Sequence, residues 1–120
     1  MIKLQIEGQM KSGKNNMLMT RKGHKYPAPK WAEWRDRVVD QLICQYHDKA
    51  IDSPCSIVIH YTAGDKRRRD VPGMMDALWH CLEKALVVAD DKYLADVKWV
   101  SFYEKNKARV TIYIGDGEIK

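Results

Sequence analysis

Ile2, Leu4 and Ile6 alternate with Lys3, Gln5 and Glu7, the two-residue period of a strand with one face buried. Gly8 begins to break the alternation. From there to Pro29 the chain is rich in Gly, Lys, Asn and Pro, a loop composition. A different period then starts. Trp31, Trp34, Val38, Leu42 and Tyr46 recur at steps of three and four, which predicts a helix over 29–48 with these residues on its buried face.

Ser53-Pro54 interrupts that helix, and the β-branched run from Ser56 to Tyr61 predicts a second strand. Pro72 suits the first turn of a second helix, where its missing N–H has no partner to lose. That helix is expected from Val71 to about Leu86, with Met75, Leu78, Leu82 and Leu86 as its buried stripe and Asp76, His80, Glu83 and Lys84 elsewhere on its circumference. Two further strands, 97–103 and 109–114, flank the polar turn Glu104-Lys105-Asn106-Lys107 and read as a hairpin. The order β-α-β-α-β-β predicts an α/β (α+β) fold: a mixed sheet with two helices packed on it.

The chain has 120 residues, enough for a single domain over 1–120 and too few for two well-buried halves. No apolar run approaches the ~18 residues of a membrane span. The start, MIKLQIEGQM, lacks the features of a signal peptide, so a cytoplasmic location is expected. Cys44, Cys55 and Cys81 lack metal-ligand spacing and are odd in number, so they read as reduced, mostly packed thiols.

Charge sharpens the picture at one place. The net charge is +5, and its densest part is Lys66, Arg67, Arg68 and Arg69, a cluster that favours a polyanion through charge neutralisation. The plainer role for such a cluster is a solubilising loop. Here, however, it lies in the stretch DKRRRDVPGMMDALWHCLEKALVVADD, residues 65–91, directly against carboxylates. Taken singly, Asp70 reads as a helix cap and Asp90-Asp91 as a polar turn. A helix from Val71 to Leu86 is ~22 Å long, so Asp70 and Asp91 meet only if Leu86 to Ala89 returns along the helix. Were they to meet, their hard oxygens would suit Mg²⁺ or Mn²⁺ rather than zinc. Such an ion would polarise a phosphoryl oxygen for in-line attack by water, with the arginines neutralising neighbouring phosphates without reading bases.

Length, element order and this stretch resemble the RusA family of Holliday-junction resolvases (crossover junction endodeoxyribonucleases), common in phages and prophages. The resembling residues are the basic run Lys66–Arg69 ending in Asp70, the helix through Leu82, Asp90-Asp91, and a further aspartate at Asp96. Lys14-Asn15-Asn16 is similar to the family's Asn-containing loop and Trp34-Arg35 to its first helix. The resemblance implies a homodimeric, Mg²⁺-dependent nuclease cutting branched DNA symmetrically in recombination and repair. Asp70, Asp90 and Asp91 would hold the metal, Asp70 and Asp91 would be catalytic, and Lys66 to Arg69 would contact DNA.

Two positions depart from the family pattern. Pro72-Gly73 stands where a second aspartate and an asparagine are usual, and Asp76 where a lysine is usual. Asp76, roughly 9 Å along the helix from Asp70, is the candidate to restore the carboxylate as a third catalytic residue. The departures keep a second reading open, a catalytically weak or inactive protein that binds branched DNA, and a third, a basic α/β protein with a protein partner. Lys14 and Asn15 are candidate DNA contacts or solvated loop residues. His24, His47, His60 and His80 read as structural, and Trp31 and Trp34 as core.

Overall fold

The computed structural model describes residues 1–11, 17–19, 21–27 and 29–116. The N-terminal alternation forms β1 (Ile2–Glu7), with Leu4 and Ile6 buried. Within the expected loop, β2 (Met17–Met19) pairs antiparallel with β3 (Lys25–Pro27). The first helix, α1, covers Pro29–Gln45 and buries Trp31, Trp34, Val38 and Leu42 as its period requires. It stops before 48, and Tyr46 closes it with an N–H to the Leu42 carbonyl, 2.9 Å.

The second strand, β4 (Cys55–Ala63), is longer than its β-branched centre. It leads into α2 (Val71–Lys84), which carries Pro72 in its first turn as expected. A single 3₁₀ turn, Asp91–Tyr93, precedes β5 (Leu94–Tyr103), and β6 (Arg109–Asp116) follows.

The main sheet has the order β1-β6-β4-β5, which corrects the expected hairpin. β5 and β6 are not neighbours: β4 lies between them, parallel to β5 and antiparallel to β6. The cause is the α2 crossover, which returns β5 alongside β4 in the same direction, as a connection containing a helix does. β6 then takes the free side of β4. The turn between β5 and β6 passes over the end of β4, where Glu104 N–H bonds to Ala63 O (3.0 Å) and Asn106 N–H to Gly64 O (2.9 Å). Gly64 makes room for this crossing, since a Cβ there would sit 3.1 Å from the Ala108 Cβ, a tight contact that the turn would have to shift to relieve.

Both helices cover one face of the sheet. Ile57, Ile59 and Tyr61 of β4, Val110, Ile112 and Ile114 of β6, and Leu4 and Ile6 of β1 meet Val38 and Leu42 of α1 and Leu78 and Leu82 of α2 in one cluster. The stripe on α2 is offset from the expected one. Met74, Ala77, Leu78, Cys81 and Leu82 are buried, Met75 is half-buried and Leu86 is 66% exposed. Leu86 has left the helix: its φ is +60°. Its N–H bonds to Glu83 O and that of Val87 to Leu82 O, both 3.0 Å, the bond pair of a left-handed helix stop that usually carries glycine. Val87 and Val88 supply the burial instead.

Candidate functional site

Where β4 ends, Asp65 organises the basic run. Its Oδ1 accepts from Arg67 N–H at 2.9 Å and from Arg69 Nη1 at 2.6 Å, while Oδ2 accepts from Arg69 Nη2 at 3.0 Å. The two-pronged Arg69 bond, followed by the Arg67 N–H, holds the Asp65 carboxyl down to about 2, because hydrogen bonds to the charged form favour it. Arg69 is thereby a brace of the loop. Lys66 places its Nζ 5.5 Å over the Tyr103 ring, and Arg67 and Arg68 are exposed. A groove of about 440 Å³ runs between this loop and the chain after β1, with Met10, Lys11, Arg67 and Arg69 among its walls. Gln9 ties the two sides: its Oε1 accepts from Gly64 N–H (3.1 Å), and Trp34 Nε1 donates to its carbonyl (3.1 Å).

Asp70 occupies the N-cap position of α2 in extended conformation (φ −83°, ψ 101°), yet its side chain makes no capping hydrogen bond. The plain role allowed by the sequence is therefore not the one adopted, and the exposed carboxylate points free of the helix's own N–H groups.

Beyond the other end of α2, the chain turns at Leu86 and zips to Ile51, whose N–H bonds to Val87 O (2.9 Å) and whose carbonyl accepts from Ala89 N–H (2.8 Å). That zipper delivers Asp90 and Asp91 to Glu83, in the last turn of α2. Asp91 N–H donates to Glu83 Oε1 (2.8 Å) and Lys92 N–H to Asp90 Oδ1 (2.9 Å). A carboxylate oxygen from each of Glu83, Asp90 and Asp91 lies within 4.8 Å of the others.

The chain thus groups Asp90 and Asp91 with Glu83, which sequence reasoning placed only as a polar position. Neither Asp70 nor Asp76 belongs to this group among the described residues. Glu83 lies thirteen positions after Asp70, about 20 Å along the axis at 1.5 Å per residue. The chain doubles back over the last turn of the helix only. Asp76 and His80 share a stripe with Glu83 at i, i+4 and i+7, and His80 packs against Trp31 at 5.7 Å between ring centroids. Asp96 is exposed on β5, opposite Ser56 of β4. Lys14 and Asn15 lie outside the described residues.

No family model matches the chain. It is 33% identical over 102 residues to the crossover junction endodeoxyribonuclease RusA of Aquifex aeolicus (strain VF5), across 84% of this chain and 81% of that relative. The chain belongs to the RusA family. The likeness is therefore not confined to residues 65–96 but extends over most of the chain. Among the described residues, no helix is long and apolar enough to cross a membrane.

Proposed function

We propose that the protein is a Holliday-junction resolvase, a divalent-metal-dependent endodeoxyribonuclease that cuts four-way DNA as a homodimer in recombination and repair in the cytoplasm. Its membership of a family whose relative is a crossover junction endodeoxyribonuclease carries the reading. The chemistry of the Glu83–Asp90–Asp91 group supports it. Three carboxylates with no thiol or imidazole among them form a hard oxygen set, suited to Mg²⁺ or Mn²⁺. A divalent ion held there would supply the positive charge that polarises the scissile phosphate.

The chain's own groups do the remaining work. The Asp91 N–H fixes Glu83 and the Lys92 N–H fixes Asp90, so two of the three carboxylates are oriented before anything binds. Arg67, Arg68 and Lys66 neutralise the phosphates of the bound strands, while Arg69, locked to Asp65, keeps the loop in shape for them. Asp91 and Asp70 are the proposed catalytic carboxylates, with Asp76 as the third.

Dimerisation has a specific reason in this reading. Asp70 and the carboxylate group occupy opposite ends of α2. Two α2 helices packed antiparallel across a two-fold axis would bring Asp70 of one protomer to the Glu83–Asp90–Asp91 group of the other. Two such composite sites match a two-fold symmetric junction.

The deciding experiment is incubation of an end-labelled synthetic four-way junction with protein in Mg²⁺, Mn²⁺ or EDTA. Paired symmetric nicks with either metal and none in EDTA are expected. A shifted but intact junction in both metals would favour the second reading, a junction binder without chemistry, for which Pro72 at the family's aspartate position is the supporting observation.

A further inference from the structure

The two faces of the sheet are unequal. Helices close one of them, and the strand registers line up the other as Thr62 beside Phe102, His60 between Thr111 and Val100, and Val58 between Tyr113 and Lys98. His60 is the hinge of an aromatic cluster, meeting Phe102 edge-on at 5.5 Å and Tyr113 at 5.3 Å between centroids. Phe102 is 49% exposed. Cations edge the cluster: Lys3 Nζ stands 5.9 Å from the Tyr113 ring, and Lys98 is exposed beside Val58. A depression of about 310 Å³ opens at His60, Phe102 and Thr111.

Ring faces flanked by ammonium groups offer what an unpaired base recognises, a stacking surface with phosphate-neutralising charge at its margin. An apolar protein partner would gain nothing from the lysines. Tyr103, whose ring lies under Lys66, is the next residue of β5 and faces the other side of the sheet, so the charge at the cluster's margin comes from Lys3 and Lys98. Paired duplex presents no free base faces along its length, whereas a branch point does where pairing opens.

We propose that the open sheet face centred on His60, Phe102 and Tyr113 is a stacking platform for bases unpaired at the branch point. The inference rests on the junction-binding function proposed above and adds to it the means by which branched DNA is preferred over duplex.

The test uses the full-length protein, a four-way junction carrying 2-aminopurine at the crossover, and a duplex of the same sequence. Wild-type protein should quench the 2-aminopurine on binding. Phe102→Leu should remove the quenching and weaken junction binding about tenfold, with duplex affinity within about twofold and the salt dependence unchanged, since no phosphate contact is lost. Phe102→Trp should restore both signals, which a merely misfolded variant would not allow, and circular dichroism of Phe102→Leu should match wild type. Unchanged junction binding by Phe102→Leu and Tyr113→Leu would overturn the platform while leaving the function standing. Equal losses on duplex and junction would overturn it too. So would monomeric Phe102→Leu beside dimeric wild type in sedimentation, which would assign the face to a second copy of the chain. Wild-type protein that binds no junction at all would remove the function and this inference together.

Discussion

Arg69 grips Asp65 with both terminal guanidinium nitrogens, at 2.6 and 3.0 Å, inside the basic run proposed to face DNA. The cations of that run therefore have unequal roles. Arg67→Ala and Arg68→Ala should each reduce the slope of log affinity against log salt by about one, the signature of a lost phosphate contact. Arg69→Lys keeps the charge and loses the fork. It should weaken DNA binding by disordering the loop, visible as faster hydrogen exchange at the Arg67 amide.

The same pair makes a pH statement. Asp65 has its folded value lowered to about 2, so the stabilisation from its ionised form is complete above the ordinary carboxylate range and disappears as pH falls through about 2. An NMR titration of the Asp65 carboxyl should show a midpoint near 2 in the wild type. In Arg69→Ala the midpoint should move upward, toward the ordinary aspartate value.

Glu83, Asp90 and Asp91 hold the metal in the proposed reading, and this can be read without cleavage. Mn²⁺ bound by the protein, followed by electron paramagnetic resonance, should weaken at least tenfold in Asp91→Asn and in Glu83→Gln. Asp91→Asn should also abolish cleavage while still shifting a junction.

The composite site gives a sharper expectation. Asp70→Asn and Asp91→Asn homodimers should each be inactive. Mixed and allowed to exchange subunits, they should regain nicking, because each mixed dimer then holds one site with both carboxylates intact and one with neither. A site built within single chains would stay dead on mixing.

Leu86, in the left-handed region at φ +60°, is a place where the fold carries strain. Leu86→Gly removes a side chain that is 66% exposed and relaxes a conformation costing roughly 1 kcal/mol for a non-glycine residue. A rise of about 3–6 °C in melting temperature is expected by calorimetry.

Burial pushes the Cys81 thiol up to about 12. A thiol that ionises near 9 in the unfolded chain and near 12 in the folded one contributes stability that is intact below pH 9 and declines as pH rises from there toward 12. Urea midpoints should fall across that window in wild type and less so in Cys81→Ala. At neutral pH, a thiol reagent should modify exposed Cys44 at once, and buried Cys55 and Cys81 only after denaturation.

Much of the fold was legible because burial imposes a period on the chain. Leu4 and Ile6, the Trp31-to-Leu42 series and the alternation from Val110 to Ile114 all lie where their spacing puts them. The failures have a common cause in contacts that no local period encodes. Leu86 continues the helical spacing but sits in a stop normally marked by glycine, so the stripe was drawn one turn too long. The β5–β6 turn looks like a hairpin locally, yet the pairing goes to β4, some forty residues earlier in sequence. For the site, the aspartates and arginines were legible as residue types. Glu83 was not, because its role depends on the zipper between Ile51 and Val88 that carries Asp90 back to it. The separation of Asp70 from Asp91 was legible as a helix length, but only the fold shows how little the chain doubles back.

The sheet order places β6, the last in sequence of the described strands, between β1 and β4. Until it is made, β1 has no partner strand, and β4 lacks its antiparallel neighbour. A nascent chain that still lacks β6 can form α1 and the β4–α2–β5 crossover, but it cannot close the core, because Val110, Ile112 and Ile114 are missing from it. Completion of the fold therefore depends on contacts distant in sequence, between β6 and strands β1 and β4, which slows folding.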